Sequence, residues 1–333
     1  MTAFLAFSQR GEALAHDLCA ALGGTVDRAG KGGTTSLSQW TAEHFAAGHR
    51  LIYVGAVGIA VRAIAPYLKS KATDPAVVVV DELGRFAVPV VSGHLGGAND
   101  LARTIGELCG ALPIITTATD LNGLFAVDDW ARRQGCLIPQ PHKIKTVSAR
   151  MLAGELVRIY SALPIWGTPP KGVTLCESGP CHALVDLYQA EEPAPLPIVP
   201  KVGVLGVGCR RGTSIETLEE AFSSFCEEKN LWPQSICAAA SIDLKAEEPG
   251  LLAFCAAHGW TLHTYSADEL RQVEGTFTPS PFVAQTTGVD NVCERAAVKL
   301  AAGPLLEKKF AGNGVTLALA MKPVTLDWRW QYE

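Results

Sequence analysis

The chain is poor in the features that mark membrane proteins and nucleic-acid-binding proteins. Charged residues make up 18% and aromatic residues 7% of its 333 positions. Its apolar runs, such as Ala76–Val80, are too short to span a bilayer. Blocks of Lys/Arg and basic stripes interleaved with aromatics are missing, so we expect neither nucleic acid nor a membrane as a partner. A strand is predicted directly after Met1 without a basic leader, which leads us to expect a cytoplasmic protein.

Paired cysteine motifs are also missing, although the chain has ten cysteines. None forms a C-x-x-C, and several fall on apolar positions of predicted helices or strands. Cys176 and Cys181 are followed by His182, but a zinc site there would need two further ligands that the sequence does not place. We therefore expect reduced thiols, no protein-bound metal and no cofactor.

Apolar material for large cores is abundant, and the chain divides into parts. Hydrophobic residues make up 48% of it, mean hydropathy is +0.19 and net charge is −5. Four prolines within 189–200 favour a stiff extended spacer. We predict an N-terminal α/β domain over 1–134, a small connecting domain over 135–190, a Pro-rich linker over 191–200 and a C-terminal α/β domain over 201–333.

Alternation of predicted strands and helices indicates the fold class. Over residues 1–130 apolar strands such as Val77–Asp81 alternate with amphipathic helices, and Ile144–Ser161 is predicted as one further helix. We expect a multi-domain α/β fold with parallel or mixed sheets covered by helices. Ligands of such sheets bind at the carboxyl ends of the strands, so the loops there are the candidate sites.

The most informative loop joins a predicted strand, Phe86–Val91, to a predicted helix, Asn99–Cys109. Its sequence is Ser-Gly-His-Leu-Gly-Gly-Ala-Asn-Asp, and it carries the candidate residues Gly93, His94, Gly96, Gly97, Asn99 and Asp100. Glycines let a ligand approach the backbone, and a helix N-terminus attracts anions. Histidine moves protons near neutral pH. A lone histidine is more often structural, but this glycine framing favours a functional one.

Loops after two earlier strands are predicted at the same edge. Gly55 and Gly58 open a helix on which Arg62 lies one turn later, in position to clamp a carboxylate or phosphate. A tight turn with a solvated arginine explains that pattern equally well. Lys71 precedes the strand that Asp81 ends, and a strand end is a frequent place for a working carboxylate.

A further polar loop, Thr116-Thr117-Ala118-Thr119-Asp120, follows a short predicted strand, Ile114–Thr116. Thr116, Thr117 and Asp120 offer hydroxyls and a carboxylate to a polar ligand. Capping of the next segment is the alternative interpretation.

The C-terminal domain opens with a glycine-rich strand that runs into Gly208, Cys209, Arg210 and Arg211. Thr213 with Glu216 predicts a capping box, so both arginines lie at a helix N-terminus. Arg211 occupies a position where the dinucleotide fingerprint needs glycine, and the Lys-Ser/Thr pair of a P-loop is missing, which argues against nucleotide binding. A thiolate at Cys209 would be favoured beside the arginines, although a small side chain packed in a turn is the simpler interpretation. Lys245 and Ser266 follow later strands.

Several of these runs resemble the cobalt-precorrin-5A hydrolase family of anaerobic cobalamin biosynthesis. The N-terminal runs are Gly55–Pro66, Lys71–Val77, Ser92–Asn99 and Ile115–Asp120. The C-terminal runs are Gly206–Gly212, Ala240–Lys245 and Tyr265–Leu270, in a domain that resembles a stand-alone protein of the aerobic pathway. They occur in order over nearly the whole chain, and residues 135–190 match least.

The resemblance implies both a substrate and a reaction. The substrate is a cobalt-containing corrin precursor with a δ-lactone between a ring A acetate and C20, so cobalt is carried by the substrate. The family opens that lactone and expels C20 with its methyl group as acetaldehyde. Transient contact with neighbouring pathway enzymes is a further expectation.

Roles for the candidate residues follow as hypotheses. Lactone hydrolysis needs proton transfer and stabilisation of an oxyanion. We expect His94 to act as base or acid, with Asp81, Asp100 or Asp120 orienting or replacing it, and the amides of Gly96 and Gly97 as oxyanion donors. The substrate carries many carboxylates, for which the expected binding residues are Gly55, Gly58, Arg62, Lys71, Gly93, Gly96, Gly97, Asn99, Thr116, Thr117, Gly208, Cys209, Arg210, Arg211, Lys245 and Ser266.

Two other functions fit the same features. A carrier that passes an unstable tetrapyrrole between enzymes would use the same anion sites without catalysis. A sugar-phosphate or nucleotide enzyme could share the scaffold, since a fold does not fix a function. We expect the site to lie between the N-terminal and C-terminal domains, because clefts between domains are common ligand sites.

Overall fold

The N-terminal residues form a six-stranded sheet with helices on both faces. The computed structural model describes residues 1–71, 73–177, 179–190 and 195–330. The strands of this sheet are β1 (Thr2–Ala6), β2 (Thr25–Arg28), β3 (Arg50–Val54), β4 (Ala76–Val80), β5 (Phe86–Val91) and β6 (Leu112–Pro113). The helices are α1 (Gln9–Leu22), α2 (Leu37–His44), α3 (Val57–Ile64), α4 (Ala98–Cys109) and α5 (Ala118–Leu121).

The unbroken apolar run of β4 is explained by burial on both faces of this sheet. Val78 and Val80 pack in the core under α1 and α4, whereas Val77 and Val79 pack in the core under α2 and α3. All five residues of β4 are buried. A strand covered on both sides has no solvent face, so no polar residue alternates along it.

The direction of β5 decides where the candidate loops lie. In the strand order β2-β1-β3-β4-β5-β6, β1 to β4 are parallel, β5 is antiparallel to β4, and β6 is parallel to β5. The link from β4 to β5 is only the turn 81–85, and parallel strands need a much longer crossover. The carboxyl ends of β5 and β6 therefore lie at the opposite edge from those of β3 and β4. The expectation that all four N-terminal loops share one edge is wrong.

The central segment builds a second sheet, in the order β10-β8-β11-β12-β7. Its elements are α6 (Val127–Arg133), β7 (Cys136–Leu137), α7 (Ile144–Leu152), β8 (Val157–Ser161), β9 (Ile165–Trp166), β10 (Val173–Leu175), β11 (Ala183–Val185) and β12 (Leu196–Pro200). The predicted helix Ile144–Ser161 is wrong in its second half. Gly154, with φ of 72°, follows α7 and the chain then enters β8.

The predicted Pro-rich spacer is also wrong where it can be checked, because β12 is a fully buried strand. Leu196 N–H donates to His182 O and Ile198 O accepts from Asp186 N–H, both on the β11 side. The nitrogen of Pro197, which has no hydrogen, therefore points away from β11. On that far side β7 pairs only with Val199 and Pro200, so the proline costs no ladder hydrogen bond. Residues 191–194 of the predicted linker lie outside the described residues.

The C-terminal residues form a third sheet, in the order β15-β14-β13-β17-β16. Its elements and their flanking segments are β13 (Gly203–Cys209), α8 (Ile215–Glu228), β14 (Ile236–Ile242), α9 (Pro249–Ala257), β15 (Thr261–Tyr265), α10 (Ala267–Arg271), α11 (Pro281–Thr287), α12 (Cys293–Ala301), β16 (Leu305–Gly312), β17 (Val315–Met321) and β18 (Leu326–Asp327). Helix α12 lies directly on β13, since a Cβ at Gly206 would be 1.8 Å from Cys293 O. Strand β18 returns to pair with β9.

The central and C-terminal sheets share one apolar core. It includes Phe125 and Trp130 from around α6, Ile159 of β8, and Leu205 of β13. Helix α6, which we predicted within the N-terminal domain, thus packs with the central segment. The domain boundaries themselves stay a prediction. Among the described residues, no helix has the length and apolar character needed to cross a membrane.

Candidate active site

The loop between β5 and α4 is folded by its own backbone bonds. Gly97 N–H donates to His94 O (2.9 Å) and Asn99 N–H donates to Gly93 O (3.0 Å). Gly97 is the N-cap of α4, with φ of 80°. The amide of Gly97 is already used within the turn, so it is not free as the predicted oxyanion donor.

Glycines are needed here for packing within the loop. A Cβ at Gly93 would lie 2.8 Å from Asn99 Oδ1, and a Cβ at Gly96 would lie 2.4 Å from the Ser92 Cβ. Ser92 itself has φ of 57°, and its hydroxyl donates to Asp74 O (2.8 Å). The loop is therefore fastened to the segment that precedes β4, on which Lys71 lies.

His94 lies between two carboxylates. Its Nε2 is 2.7 Å from Asp120 Oδ2, and its Nδ1 is 3.3 Å from Asp128 Oδ1. The His94 side chain is 12% exposed and that of Asp128 is 7% exposed. With a carboxylate on each ring nitrogen, both nitrogens act as donors and the ring is an imidazolium.

The two carboxylates set the protonation state of this histidine. Burial by itself lowers the pKa of His94, but the bonds to Asp120 and Asp128 outweigh burial and raise that pKa to about 10. Burial raises the pKa of Asp120, yet His94 and Arg103 bring it down to about 2. At neutral pH His94 therefore holds both protons. We expected His94 to act as a general base or a general acid. A doubly protonated ring can act as the acid and not as the base.

Arginines surround the acidic partners of His94. Arg103 donates to Asp120 Oδ1 (2.8 Å) and to Asp100 Oδ1 (3.2 Å). Asp100 also accepts from Arg132 and from Arg133, and both of these arginines bond to Asp129. Three arginines and His94 balance four aspartates, so the site carries no large net charge.

Asn99 completes the fixation of Asp120. Its Nδ2 donates to Asp120 Oδ2 (3.2 Å) and to Thr117 Oγ1 (3.1 Å). Asn99 is 4% exposed, and Thr117 is the N-cap residue of α5. The structure thus brings together six predicted residues, namely Gly93, His94, Asn99, Asp100, Thr117 and Asp120. Thr116, the neighbour of Thr117, is exposed.

Sequence reasoning missed the contribution of α6. Asp128 and Asp129 are followed by Arg132 and Arg133 at the i+3 and i+4 spacings that favour ion pairs on a helix. That spacing could have flagged a charged helix face. Nothing in the sequence places the face against His94, which lies more than thirty residues earlier in the chain.

Other predicted residues lie at the opposite edge of the N-terminal sheet. Gly55 follows β3, and its N–H donates to Val80 O (2.8 Å) beside Asp81. The five residues of β4 separate this edge from the His94 loop, roughly 16 Å at 3.3 Å per residue. Gly58 and Arg62 follow on α3, with the guanidinium folded back toward Gly58 and the Arg62 side chain exposed. These residues do not join the His94 site.

Asp81 organises a turn. Its carboxylate accepts from the backbone N–H groups of Leu83 (3.2 Å), Arg85 (2.8 Å) and Phe86 (2.7 Å). These bonds close the link between β4 and β5. The predicted catalytic role of Asp81 is wrong for chemistry at His94, because antiparallel β5 carries the histidine to the other end of the strand.

The C-terminal candidates meet at the carboxyl edge of their own sheet. Lys245 Nζ donates to Glu248 Oε2 (2.9 Å), and Glu248 Oε1 accepts from Gly212 N–H (2.7 Å). Arg210 and Arg211 are exposed. Helix α8 begins one residue later than the predicted capping box, since Ser214 is its N-cap.

Three further C-terminal candidates serve local structure. Ser266 is the N-cap of α10 in a capping box with Glu269. A Cβ at Gly208 would lie 2.5 Å from Thr316 Oγ1, so this glycine allows β17 to approach. Burial raises the pKa of the Cys209 thiol, and this effect outweighs that of Lys245, which lowers it. A raised pKa does not favour a thiolate at Cys209 and is consistent with the simpler interpretation, a small side chain packed in a turn.

The sequence also predicts no metal site at the cysteines. Among the described residues, no group of three or more His, Cys, Asp or Glu is arranged to hold a metal ion. His182 instead accepts the backbone N–H of Arg158 on Nδ1 (2.9 Å). The expectation that the protein carries no metal or cofactor stays a prediction.

Fold and site together define a class: a multi-domain α/β protein with a buried histidine–carboxylate cluster at a strand–helix junction. Two family models match parts of the chain. The model "Cobalamin synthesis G N-terminal" matches residues 39–120, and "Cobalamin synthesis G C-terminus" matches residues 203–320.

Curated relatives cover most of the chain. Cobalt-precorrin-5A hydrolase of Salmonella typhimurium is 35% identical over 286 residues, covering 81% of each chain. The Priestia megaterium protein of the same name is 36% identical over 295 residues, covering 82% of this chain and 78% of the relative. Among solved structures, CobE, a protein from the cobalamin biosynthetic pathway, is 32% identical, covers 39% of this chain and 96% of its own, and has a TM-score of 0.35. The chain belongs to the cobalt-precorrin-5A hydrolase family.

Proposed function

We propose that this protein opens the ring A acetate δ-lactone of cobalt-precorrin-5A and releases acetaldehyde to give cobalt-precorrin-5B, in the cytoplasm. Family membership supports the substrate and the reaction. The observation that carries the site is the imidazolium of His94 held between Asp120 and Asp128.

The reaction balances without a cofactor. Water adds to the lactone carbonyl, the bond from carbonyl carbon to C20 oxygen breaks, and that oxygen takes a proton. The C20 hydroxyl then loses its proton as the bond between C20 and the ring breaks. C20 and its methyl leave as acetaldehyde, and the electron pair stays on the corrin, which takes up a proton. The sum is lactone plus water giving acid plus acetaldehyde.

In this proposal His94 supplies the proton that the departing oxygen needs from Nε2, whose N–H otherwise donates to Asp120. A protonated imidazole is a general acid, and a donor poised at the leaving oxygen contributes typically 10²–10⁴-fold to a rate. Asp120 is a poor base because its pKa lies at about 2. Its role is to orient the ring and to stabilise the imidazolium, while Asn99 and Arg103 hold it in place.

Exposed cations of this chain suit a substrate rich in carboxylates. Lys71 lies on the segment that is fastened to the His94 loop. Burial raises the pKa of Asp128, whereas His94 and, to a smaller extent, Lys71 lower it. Arg210 and Arg211 are exposed on the C-terminal sheet edge. We assign these residues to the peripheral carboxylates of the corrin, and we place the substrate between the N-terminal and C-terminal domains.

The test is an anaerobic incubation of the purified protein with the lactone-bearing cobalt-precorrin. Released aldehyde is trapped as a hydrazone, and the corrin product is weighed by mass spectrometry. We expect acetaldehyde with the matching mass change, and a rate reduced at least tenfold in His94→Gln. His258→Gln is the matched control, since His258 also pairs with a carboxylate, that of Glu219 (3.0 Å), on the C-terminal domain.

Two other results would contradict the proposal. A corrin that binds and stays unchanged would favour the carrier function. A protein that binds no corrin would separate this chain from the substrate of its relatives. Wild-type activity in His94→Gln would support the proposed reaction but show that His94 takes no part in it.

A further inference from the structure

The two carboxylates beside His94 are held in different ways. Asp120 accepts from three donors, namely His94, Asn99 and Arg103, and the last two lie on α4, which follows the His94 loop directly. Asp128 comes from α6, which packs with the central segment. The ring of His94 is therefore held on one side by Asp120, which residues of α4 fix, and on the other side by a helix that packs in the core of the central segment.

Remote contacts fix the position of α6. Trp130 stacks on Trp328 with ring centroids 5.3 Å apart, and its Nε1 donates to Asp327 O (2.6 Å). Gln134, which follows α6, exchanges hydrogen bonds with Asp327 (2.9 and 3.1 Å). These contacts hold Asp128 against His94 from a helix that the N-terminal sheet does not build.

Charges that face this pair come from every surrounding element. Lys71 acts on Asp128 from the segment before β4. The remaining charged groups are Asp100 and Arg103 of α4, Asp120 of α5, and Asp129, Arg132 and Arg133 of α6. Asp129 is directed to the arginines, so Asp128 is the α6 carboxylate that contacts the histidine.

We propose that Asp128 is a positioning residue for lactone opening: it holds the His94 ring through Nδ1 and keeps the imidazolium ready as a proton donor. This inference rests on the proposed function for its chemical meaning. Asp128 acts through His94 and not on the substrate. Asp128 lies on α6, which packs in the core of the central segment. The packing of that segment therefore affects the protonation of a histidine in the loop after β5.

The first test needs no substrate. His94 is titrated by NMR in the full-length, ligand-free protein with ring-labelled histidine, assigned by comparison with His94→Gln. In Asp128→Asn the amide keeps the shape but loses the charge, and we expect the His94 midpoint to fall by about one pH unit or more. In Asp129→Asn, the matched control on the same helix, the midpoint stays at the wild-type position. Equal midpoints in wild type and Asp128→Asn would overturn the inference.

Kinetics then test the link to the reaction. We expect Asp128→Asn to lower kcat with little change in KM, and the alkaline limb of its pH profile to move to lower pH together with the NMR midpoint. Asp128→Glu restores the charge and part of kcat, which loss of folding would not allow. A change in KM alone, or a limb that does not move, would contradict a positioning role.

The two proposals fail in different ways. If wild type releases no acetaldehyde while the His94 midpoint still falls in Asp128→Asn, the proposed function is wrong and the coupling stands. If wild type is active and the midpoint does not respond to Asp128→Asn, the coupling is wrong and the function stands. Where Asp128→Asn does not fold, the Nδ1 resonance of His94 is compared between wild type and Asp128→Glu, which moves the carboxylate but keeps its charge; an unshifted resonance there would overturn the inference.

Discussion

The stability of the His94 region should decrease as pH rises. The contacts of His94 in the structure allow the size of this decrease to be worked out. Contacts with Asp120 and Asp128 raise the pKa of His94 from 6.5 to about 10, against the effect of burial. A group whose pKa is higher in the folded state stabilises folding fully below its unfolded pKa. That stabilisation is lost as pH rises through the folded pKa. The window for His94 is therefore pH 6.5 to about 10.

The magnitude follows from the two values. At 1.36 kcal/mol per pH unit, the rise from 6.5 to about 10 corresponds to roughly 5 kcal/mol. The lowered pKa values of Asp120 and Asp128 describe the same contacts from the other partner, so they add nothing to this figure. Relative to His94→Gln, wild type should hold an advantage of about 5 kcal/mol at most near pH 6, and little above pH 10.

Amide hydrogen exchange, read by mass spectrometry, measures the stability difference between wild type and His94→Gln in the His94 region itself. Peptides that cover the His94 loop and α6 are compared between wild type and His94→Gln at each of several pH values, because intrinsic exchange rates then cancel. Peptides from the C-terminal sheet serve as an internal reference. A protection difference that stays constant from pH 6 to pH 10 would refute the assignment of an imidazolium between two carboxylates.

Three other substitutions or reactions test separate parts of the structure. Asp81→Asn should cost about 1–2 kcal/mol in urea unfolding, since three backbone bonds weaken, and should leave the rate of acetaldehyde release unchanged; a lost rate would return Asp81 to the active site. Gly206→Ala should cost about 3 kcal/mol, because its Cβ would overlap Cys293 O, and an unchanged urea midpoint would show that α12 is not pressed on β13. Iodoacetamide at pH 8 should alkylate Cys209 more slowly in the folded than in the unfolded chain, because burial raises the pKa of its thiol; faster labelling would favour the alternative interpretation, a thiolate.

Local features of the fold were predictable from short stretches of sequence. The strand and helix that flank His94 are observed as Phe86–Val91 and Ala98–Cys109, and Gly110 caps the helix in a left-handed conformation. Ser266, expected just after a later strand, is observed as the N-cap residue of α10. Each of these depends on neighbours within a few residues, where periodicity and capping chemistry are sufficient.

Predictions failed where a feature depends on a partner far along the chain. Pro197 reads as a spacer residue, but a buried strand accepts it because the neighbour on its nitrogen side ends early. The carboxyl end of β4 was a reasonable place for a working Asp81 until the direction of β5 was known.

The sequence by itself determined the α/β class, the family, the His94 loop and the residues Asn99, Asp100 and Asp120 around it. Tertiary structure alone decided that His94 also meets Asp128, a contact across thirty-four positions that packing of α6 on the central core creates. It also decided the charge of the ring, because protonation depends on which carboxylates surround a buried group and not on its neighbours in the chain.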